Sequence, residues 1–172
     1  PGHAREIAGD LVSPTATTLR FAYPFTTEIP VSDPAYLVRM ARFYDDCAGR
    51  IATCLRDGQD VALLCEGDPF LFGSAMYVFD RLHDRFPCTI VPGITAMAGC
   101  WSVAQAPMVH GDDVLCVIPG TLDAASLTTR LEQADAAVIM KLGRNLEKIR
   151  TALRQTGREE RAIYVERATQ PQ

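Results

Sequence analysis

Val61-Ala-Leu-Leu-Cys-Glu-Gly-Asp-Pro-Phe-Leu-Phe-Gly-Ser74 joins a mostly apolar run to an abrupt polar turn, Glu66-Gly67-Asp68-Pro69, and then to a helical pattern with Gly73-Ser74 near its start. The run Val61–Cys65 predicts a strand, the turn a tight loop, and Phe70–Arg85 a helix. In an open α/β sheet, ligands sit in the crevice beyond the carboxyl ends of the strands. The stretch therefore points to an α/β fold and places a candidate site at its loop.

Upstream, Ser32-Asp33-Pro34 reads as a helix start, with a capping Asp and Pro at the first helical position. Apolar residues then recur at Tyr36, Leu37, Met40, Phe43, Tyr44, Cys47, Ile51, Cys54 and Leu55, which predicts one long amphipathic helix closed by Asp57-Gly58. Thr17–Tyr23 reads as extended, and residues 3–9 as a short helix. Downstream, strands are expected at Cys88–Val91, Val114–Ile118, Ala136–Met140 and Ala162–Val165. Helices are expected at Ile94–Ala104, Asp123–Gln133 and Leu146–Gln155. Such alternation implies parallel pairing through helical crossovers, and nearly all-apolar strands suit sheets covered on both faces. The Pro107-containing segment Ala106–Gly111 reads as a connection, dividing the chain into domains at residues 1–108 and 109–172.

Composition narrows the function classes. Of the 172 residues, 48% are hydrophobic and 22% charged, as in a soluble globular protein. The net charge of −4, with no basic block, argues against a nucleic-acid surface. No apolar run approaches the roughly 20 residues needed to span a bilayer, and no signal-peptide pattern opens the chain. The six cysteines form no Cys-x-x-Cys and read as reduced core residues of a cytoplasmic protein. His3, His83 and His110 show no ligand spacing, so no metal is expected. The chain opens Pro1-Gly2-His3-Ala4-Arg5 without Met, and further residues are expected before Pro1 and after Gln172.

Three loops that follow expected strands share a character: Glu66-Gly67-Asp68-Pro69, Pro92-Gly93-Ile94-Thr95-Ala96 and Lys141-Leu142-Gly143-Arg144-Asn145. Glycine lets backbone approach a ligand closely, and helix N-termini offer unpaired N–H groups. Plainer roles stand beside these. Asp68 and Thr95 suit helix capping, Lys141 and Arg144 suit solvated loops, and Trp101 suits a core. No Gly-x-Gly-x-x-Gly, Walker or Gly-x-Ser-x-Gly sequence is present, so dinucleotide, nucleoside triphosphate and serine-hydrolase sites lack support. No acid–base pair stands out.

The blocks Glu66-Gly67-Asp68-Pro69-Phe70-x-Phe72-Gly73-Ser74, Val91-Pro92-Gly93-Ile94-Thr95-Ala96 and Val138-Ile139-Met140-Lys141, in that order, resemble the tetrapyrrole methylase family. Phe21–Phe25, Cys65–Pro69, Gly99–Ser102, Met140–Asn145 and Tyr164–Thr169 are similar to the branch that methylates carbon 20 of precorrin-2. The resemblance covers nearly the whole chain. It implies a two-domain fold, with a mostly parallel N-terminal sheet and a mixed C-terminal sheet, both flanked by helices. It also implies a homodimer and a trough between the domains that binds S-adenosylmethionine. Carried over by motif, Gly67, Asp68 and Pro69 would face the amino-acid and ribose parts of S-adenosylmethionine, and Gly73 and Ser74 would support that loop. Thr95 and Ala96 would line the pocket, Met140 and Lys141 would flank the adenine, and Ala168 and Thr169 would complete that side. Arg20 and Arg144 are the candidates for the substrate's carboxylates, because guanidinium suits bidentate recognition. The family's opening strand and Gly-x-Gly-Pro-Gly-Asp loop have no counterpart in this sequence. The metal-free substrate, its cobalt-bearing equivalent or another tetrapyrrole, and a non-catalytic module of the same fold all stay open at this point.

Overall fold

The computed structural model of the chain describes residues 2–25 and 33–169. It is an α/β protein that divides into two compact units, residues 1–94 and 95–172. Ser32, which opens the expected helix cap, lies outside the described residues.

In the first unit, a short helix α1 (His3–Ala8) precedes the long helix α2 (Pro34–Arg56). The α2 start follows from its sequence: Pro34 supplies a preset φ, and the Asp33 side chain accepts from the Ala35 N–H at 2.8 Å. Its end follows equally, with Gly58 at φ +75° donating to the Leu55 carbonyl at 3.1 Å. Met40, Tyr44, Cys47, Ala48, Ile51 and Ala52 form one buried stripe at helical spacing. Val78 and Leu82 of helix α3 (Ala75–Leu82) and Phe25 close this core, and Leu19, Phe21, Val61 and Phe86 pack against it.

The second unit carries helix α4 (Ala96–Ala104), strand β1 (Leu115–Pro119), helix α5 (Ala124–Gln133), strand β2 (Ala136–Met140) and helix α6 (Leu146–Gln155). The strands β1 and β2 pair in parallel, from Leu115 opposite Ala136 to Pro119 opposite Met140, with α5 as the crossover. Asp123 caps α5, accepting from the Ser126 N–H at 2.9 Å and the Ser126 hydroxyl at 2.7 Å. The backbone N–H of Ser126, seconded by its hydroxyl, holds the Asp123 carboxyl below its ordinary range. Ile118, Leu127, Leu131, Ile149 and Ala152 form this unit's core.

The expected helices are present, and β1 and β2 lie where the apolar runs placed them. Three differences are physical. The helix expected from Phe70 starts only at Ala75 and ends at Leu82. Asp68 draws the Phe70 N–H into a local turn at 2.9 Å, and Phe72 sits at φ +54°, which no helix accommodates. Val61–Cys65, Cys88–Val91 and Ala162–Val165 belong to no ladder among the described residues, so the expected N-terminal sheet is not formed there and the C-terminal sheet is the parallel pair β1 and β2 rather than a mixed one. An apolar run signals burial, but a strand also needs a neighbour offering N–H and C=O groups. Leu63 and Ile163 accordingly stay 45% and 62% exposed. All six cysteines are free thiols; Cys47 is buried in the core, whereas Cys65 and Cys88 are exposed rather than core residues. Among the described residues, no helix is long and apolar enough to cross a membrane.

Candidate functional site

In the first unit the two candidate loops meet through their backbones. Gly67 adopts φ +65°, open to glycine at little cost. A Cβ on Gly93 would fall 2.1 Å from the Gly67 carbonyl oxygen and 2.7 Å from its carbon, so only glycine fits. Asp68 ties the contact together: one carboxylate oxygen accepts from the Phe70 N–H at 2.9 Å, the other from the Gly93 N–H at 3.1 Å. Asp68 therefore caps no helix: half its carboxylate closes a local turn on Phe70, and the other half staples two loops 25 residues apart. The loop then folds back on itself. A Cβ on Gly73 would sit 3.1 Å from the Pro69 carbonyl oxygen, and the Ser74 hydroxyl accepts a hydrogen bond from Tyr23.

In the second unit Thr95 caps α4, its hydroxyl accepting from the Ala98 N–H at 3.3 Å. Gly99, within the first turn of that helix, faces Ala168 and Thr169: an added Cβ would lie 3.8 Å from the Thr169 methyl and 4.0 Å from the Ala168 Cβ. Ala96 is exposed at the helix start, and Trp101 is half-buried on the helix rather than core. At the end of β2, the Gly120 N–H donates to the Met140 carbonyl at 2.6 Å. A Cβ on Gly120 would stand 3.1 Å from the Met140 oxygen and 3.2 Å from that of Lys141. Gly120 is absent from the sequence-level candidates, yet its signal was legible. Ile118-Pro119-Gly120 leaves β1 with the same apolar-Pro-Gly step that Val91-Pro92-Gly93 shows.

Backbone strain marks the same segments. Among the described residues, the non-glycine positions at positive φ are Phe72, Gln105, Lys141, Arg167 and Thr169. Gln105 is the left-handed C-cap of α4. The other four lie in or beside the candidate loops, and strained backbone of this kind concentrates where a ligand is held. Arg20 is exposed in the first unit, its carbonyl accepting from Arg50 at 3.3 Å, and Arg144 is exposed in the turn Gly143–Asn145 of the second. An open hollow of about 500 Å³ beyond the C-terminal end of α3, lined by Phe79, His83, Arg85, Phe86 and Cys88, contains none of the candidate residues. Among the described residues, no His, Cys, Asp and Glu side chains gather as a metal-binding group.

The candidate loops of each unit are therefore built to present backbone. Carboxylate and hydroxyl side chains are spent on holding loops, while glycines let carbonyl and N–H groups come close to one another and to anything lodged against them.

Comparison with known proteins gives a consistent result. The family model described as Tetrapyrrole (Corrin/Porphyrin) Methylases matches residues 3–172. A Sinorhizobium protein named precorrin-2 C(20)-methyltransferase is 50% identical over 168 residues, covering 98% of this chain and 69% of its own length. The cobalamin biosynthesis protein CobIJ of Mycobacterium tuberculosis is 44% identical over 170 residues, covering 98% of this chain and 34% of its own length. A Salmonella typhimurium protein named cobalt-precorrin-2 C(20)-methyltransferase is 28% identical over 128 residues, covering 74% of this chain and 54% of its own length.

Proposed function

The chain belongs to the tetrapyrrole (corrin/porphyrin) methylases, and from that premise we propose that it transfers the methyl group of S-adenosylmethionine to carbon 20 of precorrin-2, a step of cobalamin biosynthesis. The observation that carries this reading is the 50% identity, along 98% of the chain, to the precorrin-2 C(20)-methyltransferase of Sinorhizobium. The 28% identity to the cobalt-precorrin-2 enzyme of Salmonella is lower and covers less of the chain. The metal-free substrate is favoured on that ground.

The loop geometry supports the cofactor assignment. Gly67, Asp68 and Pro69 border the amino-acid and ribose parts of S-adenosylmethionine, with Gly73 and Ser74 as the loop's support. Thr95 and Ala96 line the pocket, Met140 and Lys141 flank the adenine, and Ala168 and Thr169 close that side. Gly120, packed on the Met140 and Lys141 carbonyls, joins this set. Arg20 and Arg144 take the tetrapyrrole's carboxylates. The complete fold has a mostly parallel N-terminal sheet that recruits Val61–Cys65 and Cys88–Val91, and a mixed C-terminal sheet that recruits Ala162–Val165. The boundary between its domains falls at 108/109. The working form is a cytoplasmic homodimer.

A sulfonium methyl is already electrophilic and its leaving group is neutral. The protein's task is then to hold the accepting carbon in line with the methyl–sulfur bond, at about 3–3.5 Å. A site made of rigid backbone suits that task, and no side-chain base is assigned.

The test is transfer of an isotopically labelled methyl from S-adenosylmethionine by the full-length protein. One label per tetrapyrrole, on carbon 20 of precorrin-2, is expected. Label on the cobalt-bearing equivalent alone would move the assignment to that substrate, and label on neither would leave a non-catalytic module.

A further inference from the structure

The Gly67–Ser74 loop is fastened at its start by the Asp68 carboxylate, and a separate group of residues fastens its end. Ser74 is the N-cap residue of α3, a position where Ser ordinarily accepts from the helix's own N–H groups. Here its side chain makes no capping bond. The hydroxyl instead accepts from the Tyr23 hydroxyl, across 51 residues.

Tyr44 is the fixed point of this group. It projects from the middle of α2 and is buried. Its ring stacks on Tyr77 with centroids 4.6 Å apart and meets Phe43 edge-on at 5.3 Å. The Arg81 guanidinium lies over it at 5.7 Å and is itself held by Asp45 at 2.7 Å and the Tyr77 carbonyl at 2.8 Å. Tyr23 in turn rests on Phe43, centroids 5.0 Å apart. Aromatic packing thus sets where the Tyr23 phenol oxygen stands, and that oxygen sets where Ser74 stands.

We propose that Tyr23, seated on the aromatic group around Tyr44, is a positioning residue for the cofactor loop, acting through the Ser74 hydroxyl to hold its C-terminal end against α2. The role rests on the reading of this loop as a wall of the S-adenosylmethionine site. Between its two anchors the loop contains Phe72 at φ +54°, a conformation that persists only where the surroundings over-determine it.

Tyr23→Phe deletes one oxygen and keeps the aromatic packing, so the fold is retained. Calorimetric titration of the full-length protein with S-adenosylhomocysteine should show affinity weakened about three- to tenfold in Tyr23→Phe and in Ser74→Ala, the range expected for one lost hydrogen bond. The Tyr23→Phe, Ser74→Ala double variant should be no weaker than the worse single one, because both remove the same bond. Ser74→Thr, which keeps the hydroxyl, should restore binding. In turnover, KM for S-adenosylmethionine should rise while KM for the tetrapyrrole stays unchanged. Wild-type affinity in Tyr23→Phe, additive losses in the double variant, or a Ser74→Thr as weak as Ser74→Ala would overturn the positioning role alone. Absence of binding by the unsubstituted protein would overturn the cofactor reading, and this role with it.

Discussion

Gly93→Ala is expected to reduce S-adenosylhomocysteine binding by about a hundredfold or more, and methyl transfer with it. The Cβ it introduces would lie 2.1 Å from the Gly67 carbonyl oxygen. The obstacle is backbone, so no rotamer change relieves it. The two loops must separate by about 1 Å to reach ordinary contact, and displacement on that scale in a positioning site costs about two orders of magnitude. Separation also breaks the bond from the Gly93 N–H to Asp68, which at 3.1 Å has little length to spare. Neither core contains Gly93, so helix content by circular dichroism should stay that of the unsubstituted protein. Affinity within a few-fold of the original would show that the Gly67–Gly93 approach does not shape the site.

Asp68 gives the second large effect, and its variants should fall in order. Asp68→Ala leaves the Phe70 and Gly93 N–H groups without their shared acceptor. Each bond to a charged acceptor contributes about 1.5–3 kcal/mol, the lower end suiting a part-exposed loop. Together they predict affinity about a hundredfold weaker. Asp68→Asn keeps one oxygen acceptor and turns an amide NH₂ toward the other N–H, so one bond is lost and the weakening should be about tenfold. If Asp68→Asn binds as weakly as Asp68→Ala, or both bind normally, the carboxylate is not the staple described. A ligand-contacting carboxylate would instead lose its affinity on neutralisation to Asn alone, with the loop undisturbed.

The sequence was most legible where structure is set by neighbours along the chain. Asp33-Pro34 and Asp57-Gly58 delimit α2, Asp123 starts α5, and Ala136–Met140 and Leu146–Gln155 occur where their patterns begin and end. Ladder pairing was less legible, because Val61–Cys65 reads as a strand from its own residues while a strand exists only with a neighbour. The start of α3 was misplaced because Asp68 and Phe72 form a local turn that competes with the helix. Within the candidate loops, glycine is the legible signal, and at Gly93 the structure shows backbone coming close to backbone. The close approaches themselves, Gly93 on Gly67 and Gly120 on Met140, join segments far apart in sequence and leave no local trace beyond a Pro-Gly step. Tyr23 reads as part of a block, since nothing in its spacing predicts a hydroxyl partner at Ser74, 51 residues away.

The claim on which the rest depends is that these backbone-lined loops form a wall of an S-adenosylmethionine site. Calorimetric titration of the full-length protein with S-adenosylhomocysteine tests it most directly. The account predicts saturable binding at one site per chain, lost in Gly93→Ala and graded through Asp68→Asn to Asp68→Ala. No binding by the unsubstituted protein, or binding that all three variants leave intact, would contradict it.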